Sequence, residues 1–188
     1  MKKSILAVKS IVSLCLISGL MFSCDNNDDD DMVCQEEITG ELTEHETAFA
    51  GEWILKSIVA DEEIDLTDDD TDNPSTDIFS QYDACLQDAV YNFQSDRAYL
   101  FEIGLNAEDC DDQQKIEGTW KLSDENMLTI LSNCVESRTA LELKEDNTEF
   151  TVENTVVFTD VNDEEMTLKI TTTYAKSAGE DVEEEEAE

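Results

Sequence analysis

The chain has 188 residues, with 48 Asp or Glu against 11 Lys or Arg, for a formal charge of -37 at pH 7. A field of that sign repels phosphate backbones and anionic lipid heads, which excludes nucleic-acid binding. Between its acidic ends the chain is long enough for one domain with a real core.

Lys2 and Lys3 make a basic start, and Ile11 to Phe22 is an apolar run broken only by small polar residues. That run is too short for a bilayer, which takes ~20 residues, but suits the core of a signal peptide. Small Ser23 then precedes Cys24. The stretch resembles a bacterial lipoprotein signal, in which cleavage falls before a cysteine that carries acyl chains. Met21 stands where that pattern usually has Leu, and Leu20 sits one place too early. The resemblance implies a signal peptide over 1–23, an acylated Cys24 and the membrane as a partner. At ~0.8 kcal/mol per buried methylene, two or three acyl chains anchor stably where one does not. The alternative is an ordinary secretory signal beside a chance cysteine, but no small-x-small cleavage site lies around Met21 to Asp25. Asp25-Asn26-Asn27 and Asp28 to Asp31 follow at once. They resemble the acidic export signal of Bacteroidetes surface lipoproteins, with a solvated spacer as the alternative. The expected location is the outer membrane, lipid-anchored and exposed at the cell surface. Processing would leave 8 basic residues against 48 acidic ones, a net -40.

Five cysteines survive such processing: Cys24, Cys34, Cys85, Cys110 and Cys134. With Cys24 acylated, an even four remain in an oxidising compartment, and three pairings are open. No pair has C-x-x-C spacing and the only histidine is His45, so a zinc site is a poor reading and no metal or cofactor is expected.

Residues 24–47 read as a lipid-anchored acidic linker, with order beginning near Ala48. Ile54 to Val59 is rich in β-branched and aliphatic residues and predicts a strand. Asp61 to Thr76 reads as a polar loop. Its aspartates at 68, 70 and 72 look like a calcium loop only superficially, because an EF-hand needs glycine and glutamate where Asn73 and Phe79 stand. Asp77 to Ala84 predicts a short helical turn with Ile78, Phe79 and Tyr82 on one face and Asp77 as its cap. Ala89 to Phe93 and Arg97 to Leu105 follow as strands. Lys115 to Leu122 alternates, with Ile116, Trp120 and Leu122 inward. Met127 to Leu131, Glu136 to Lys144, and strands around Phe150 to Phe158 and Met166 to Tyr174 complete the set. Residues 177–188 end in a glutamate run that cannot bury anything and is expected to be disordered.

The fold expected is therefore all-β: about eight strands in an antiparallel up-and-down barrel over 48–176, which removes exposed edges. Gly51-Glu52-Trp53 and Gly118-Thr119-Trp120 add specificity, glycine permitting a sharp bend or close approach and tryptophan an inward plug. In order, Gly51 to Ile58, Cys85, Asp88-Ala89-Val90-Tyr91-Asn92-Phe93, Cys110, Gly118 to Trp120 and Leu128-Thr129-Ile130 resemble the small lipocalin-like domains of Bacteroidetes lipoproteins. The resemblance covers roughly 49–132 by motif. It implies a Cys85–Cys110 disulfide, leaving Cys34 with Cys134.

No catalytic constellation is visible: His45 lies in the linker and no G-x-S-x-G elbow occurs. The chain is not expected to be an enzyme. An eight-stranded barrel either packs itself solid or holds one small apolar ligand. Its inward candidates are Trp53, Leu55, Tyr91, Phe93, Tyr99, Phe101, Trp120, Leu128, Ile130, Phe150, Val152, Leu168 and Ile170. The alternative function is an acidic surface module with a filled core that engages a basic partner or divalent cations.

Overall fold

The computed structural model describes residues 34–67 and 69–177. Cys24, the signal segment and the tail beyond 177 lie outside the described residues, as does Asp68.

One antiparallel sheet of ten strands dominates: β1 (Gly51–Ile64), β2 (Ser75–Asp77), β3 (Val90–Phe93), β4 (Ala98–Ile103), β5 (Gln114–Leu122), β6 (Met127–Ser132), β7 (Val135–Ala140), β8 (Glu142–Leu143), β9 (Glu149–Thr159) and β10 (Glu165–Lys176). The spatial order is β7-β6-β5-β4-β3-β1-β10-β9-β8, with β2 beside β1. Strands adjacent in the chain are thus adjacent in space, and the long first strand pairs with the last. β7 and β8 are separated by Leu141 alone; one pairs with β6 and the other with β9. That short segment brings the two ends of the sheet together, so the sheet is a nearly closed barrel.

The count exceeds the expected eight for two reasons. The predicted strand 136–144 is broken at buried Leu141, where it changes partners. The excursion after β1 returns to add the three-residue β2 along the same strand. β1 itself runs five residues past Val59, into the stretch where the sequence predicts a loop: Asp61-Glu62-Glu63 stay extended, and the Asp61 carboxylate accepts the Lys169 backbone N–H at 2.8 Å. Ile64 is the reward for that extension, being almost wholly buried. The expected helical turn at 77–84 resolves into a 3-10 turn at Phe79–Gln81 and a one-turn helix α2 (Ala84–Gln87), capped by Asp83. Asp77 does serve the first of these, accepting the Ser80 N–H at 3.1 Å.

Pairing fixes which side chains share the inner face, because partners across an antiparallel ladder point the same way. Trp53↔Tyr91, Phe93↔Tyr99, Phe101↔Ile116, Trp120↔Ile130 and Phe150↔Tyr174 all point inward. A register shift between Leu55 and Ser57 puts Ile58 and Ala60, rather than Ser57 and Val59, on that face.

Order begins well before Ala48. Thr43 caps a helix α1 (Glu44–Phe49) through a reciprocal capping box with Glu46, at 3.2 and 2.9 Å. Residues 34–43 form a strap. Cys34 is bonded to Cys134 in the β6–β7 turn, the Ile38 N–H donates to Thr119 Oγ1, and Gly40 and Glu41 reach the β3–β4 turn. The second disulfide joins Cys85 to Cys110. Beside it the Asp88 carboxylate accepts the N–H groups of Gly104, Asn106 and Ala107, holding the β4–β5 loop. In a chain-entropy model, loops of 25 and 100 residues contribute about 3.5 and 4.7 kcal/mol.

Gly118 is where β5 comes closest to β6: a Cβ there would lie 2.2 Å from the Leu131 carbonyl oxygen. Backbone, unlike a flexible side-chain end, cannot swing away. Gly118→Ala is expected to destabilise the fold by about 1–3 kcal/mol or more, as overpacking does, read as a lowered urea midpoint.

Candidate functional site

One end of the barrel is stoppered by α1. Its last residue, Phe49, is fully buried and contacts four aromatic rings: Trp53, Phe93, Trp120 and Phe150, at centroid distances of 5.0, 4.9, 5.8 and 5.7 Å. The Trp53 indole N–H donates to the Phe49 carbonyl and that of Trp120 to Gln94, both at 3.0 Å, so neither tryptophan is left with an unmet donor. Lys176 lies 5.4 Å from the Trp53 ring and donates from Nζ to the Ala48 carbonyl.

Arg97 holds the stopper in place. At φ 72° it occupies the β3–β4 turn and is 7 % exposed. Its Nη1 and Nη2 donate to the two Glu46 oxygens at 2.7 and 2.9 Å. Nε reaches the Gly40 carbonyl, Nη2 that of Glu41 and Nη1 that of Trp120. All five guanidinium donors are thereby used. Glu46 also accepts the Leu122 N–H at 3.1 Å. Burial alone would raise the Glu46 carboxyl, but Arg97 and the Thr43 and Leu122 N–H groups outweigh it and bring it to about 2.

Higher in the barrel sits a group of tyrosines. The Tyr91 ring lies 6.0 Å from Tyr99 and 4.8 Å from Tyr174. Burial is the leading cause that pushes the pKa of all three hydroxyls up. Phe101, 4.7 Å from Tyr91, continues the aromatic wall.

All thirteen predicted inward residues belong to one apolar cluster, but not with equal burial. Trp53, Leu55, Phe93, Tyr99, Trp120, Leu128, Phe150, Leu168 and Ile170 are buried. Tyr91, Phe101, Ile130 and Val152 are inward by register yet part-exposed, and Ile103 and Ile116 join them. The excursion after β1 packs Ile78, Phe79 and Tyr82 against the core on the β1 side. The barrel is therefore filled at the α1 end, and its part-exposed inward residues lie on β3, β4, β5, β6 and β9, while Ile64, Ile78, Phe158 and Leu168 are buried at the far end on the β1 side.

An open depression of about 480 Å³ also lies outside the barrel, lined by Glu46, Lys121, Leu122, Ser123, Met127, Thr129 and Arg138. Its carboxylate is committed to Arg97 and its Arg138 to Glu136, so little there is free to bind. His45 Nε2–H donates to Asn126 Oδ1 at 2.9 Å, on the barrel rim. Among the described residues, no cluster of three or more His, Cys, Asp or Glu is placed to hold a metal ion. Asp65 instead spends its oxygens on Thr67 and Asn73.

The sequence reading missed α1, Phe49 and the Glu46–Arg97 pair. Thr43-x-x-Glu46 was the available signal, a capping box just ahead of an apolar residue.

The molecule is thus an antiparallel β-barrel domain with an internal helical stopper and two disulfides. Residues 27–177 match the family model described as Domain of unknown function (DUF5004), and the chain belongs to that family. No curated protein sequence matches it.

The Glu46–Arg97 pair gives a signed pH prediction. A carboxyl near 2 in the fold, against an ordinary 4.5, stabilises fully above pH 4.5 and loses that contribution as pH falls through about 2. Glu46→Gln should flatten the stability curve between those values in urea titrations. The slope that remains belongs to Asp65, Asp146, Glu149 and Asp160, held low by hydrogen bonds led by Asn73, Thr148, Lys144 and Glu164. Arg97→Ala strands a buried carboxylate and is expected to cost about 3–5 kcal/mol at pH 7.

Proposed function

We propose that this protein is a membrane-anchored lipoprotein whose lipocalin-like barrel binds a small apolar molecule against its part-exposed inward residues. The observation that carries the reading is the contrast in burial along the inner face. Trp53, Trp120, Phe93 and Phe150 leave no room at the α1 end, whereas Tyr91, Phe101, Ile103, Ile116 and Val152 point inward and stay part-exposed. Inward apolar side chains that still meet solvent, with a few hydroxyls among them, fit the usual make-up of a small-molecule site.

The basic start, apolar run and Cys24 support the anchor. The described strap begins at Cys34, which is bonded to Cys134 in the β6–β7 turn, and Cys24 stands ten residues earlier in the sequence. An anchor there would keep the mouth within reach of a lipid surface. The net charge of -37 supports a second reading, an acidic surface module acting on a basic partner through its exterior.

Diphenylhexatriene, a hydrocarbon dye, should bind saturably to the oxidised protein and quench or shift its tryptophan emission. Absence of any signal would leave the exterior reading in possession. In cells, labelled palmitate should enter the wild-type chain and not Cys24→Ala; equal labelling would remove the anchor.

A further inference from the structure

We infer, resting on the ligand-binding reading above, that the barrel takes an uncharged apolar molecule with a hydrogen-bond acceptor, such as a ketone or ester oxygen, and rejects fatty-acid carboxylates.

The described residues contain eight Lys or Arg, and every one has a known place. Arg97 has no donor left, and Lys176 is held at the stoppered end by Ala48 and Trp53. Lys56 and Lys144 pair with Glu149, Lys115 with Glu117, Arg138 with Glu136 and Lys169 with Glu153. Lys121 pairs in register with Thr129, on the face opposite to Trp120 and Leu122. No cation of the described chain therefore reaches the accessible interior. A carboxylate entering it would shed water with no counter-charge to meet, inside a molecule whose whole field is negative.

What the interior does offer is donors without charge. Tyr91, Tyr99 and Tyr174 bring three hydroxyls together on the inner face, with Thr172 buried on the same face through its pairing with Val152. Each of these hydroxyls has one hydrogen to give to an acceptor. Burial raises all three pKa values, so these groups stay protonated donors across the neutral range. The walls around them, Phe101, Ile116, Ile130 and Val152, suit an alkyl or fused-ring body. A neutral molecule with one oxygen acceptor satisfies both parts of that lining.

The test uses the full-length oxidised protein loaded with diphenylhexatriene, which has no polar atom. At pH 7.5, 2-undecanone is expected to displace the dye at about tenfold lower concentration than decanoate, an acid of similar length. Tyr99→Phe and Tyr174→Phe keep the ring packing and should weaken the ketone by about three- to tenfold while leaving the dye unaffected. Decanoate competing as well as the ketone, with dye bound normally, overturns this inference and spares the pocket. Ketone binding unchanged in both tyrosine variants overturns the role of the hydroxyls. No dye binding at all overturns the pocket and this inference together. The comparison of ketone with acid needs no variant, so a misfolded mutant does not blunt it.

Discussion

The buried pair between Arg97 and Glu46 is the contact on which the rest of the architecture depends. A salt bridge taken out of water is a weak source of net stability, since desolvation offsets much of the attraction. Its value here is positional. The five guanidinium donors draw acceptors from the strap at Gly40 and Glu41, from α1 at Glu46 and from β5 at Trp120. The strap and α1 are thereby fixed at one point to the β3–β4 turn and β5, which lie far from them in sequence. Remove the charge from either partner and the strap, the stopper and the β3–β4 turn lose their common reference.

Because that point lies at one end, the barrel becomes asymmetric. Phe49 can reach four aromatic rings only because Glu46, three residues earlier, is anchored below them. The result is a solid aromatic floor beneath inward residues such as Tyr91, Phe101, Ile116 and Val152 that stay part-exposed. The Cys34–Cys134 disulfide extends the same logic. It ties the strap at the β6–β7 turn while Arg97 ties it at the floor, so residues 34–43 run the height of the barrel outside β5 and β6. Outward-facing Leu131, paired with the strap-bonded Thr119, is buried although it takes no part in the central cluster.

Much of this was legible in the sequence because period-2 alternation is a local signal. Tyr99-Phe101-Ile103 and Ile116-Trp120-Leu122 announce their faces without knowledge of partners, and both Gly-x-Trp segments mark bends beside large inward rings. What stayed hidden depended on partners or on context. The break at Leu141 reflects a change from β6 to β9 as neighbour, which no local propensity records. The extension of β1 through Asp61-Glu62-Glu63 is a case of tertiary pairing overriding poor strand formers. Glu46 is the sharpest instance. In a chain with 48 acidic residues, a single glutamate destined for the interior looks like all the others, and only the Thr43 cap three residues before it sets it apart.

The same abundance of acid explains why the interior holds tyrosines rather than ions. With so few bases, five of the eight in the described chain are drawn into exterior pairs, and another is consumed at the floor. A carboxylate inside the barrel would have no guanidinium left to meet it, and Asp65, the other buried acid, accepts the N–H groups of Thr67 and Asn73 instead. Hydroxyls avoid that problem, because they are neutral and can both give and accept a hydrogen bond. The chain thus separates its chemistry by depth: charge outside, where water screens it, and neutral hydrogen-bond donors inside. Under the proposed function, an interior of that kind discriminates among guests by the polarity they carry rather than by their charge, because the exterior has already claimed the cations.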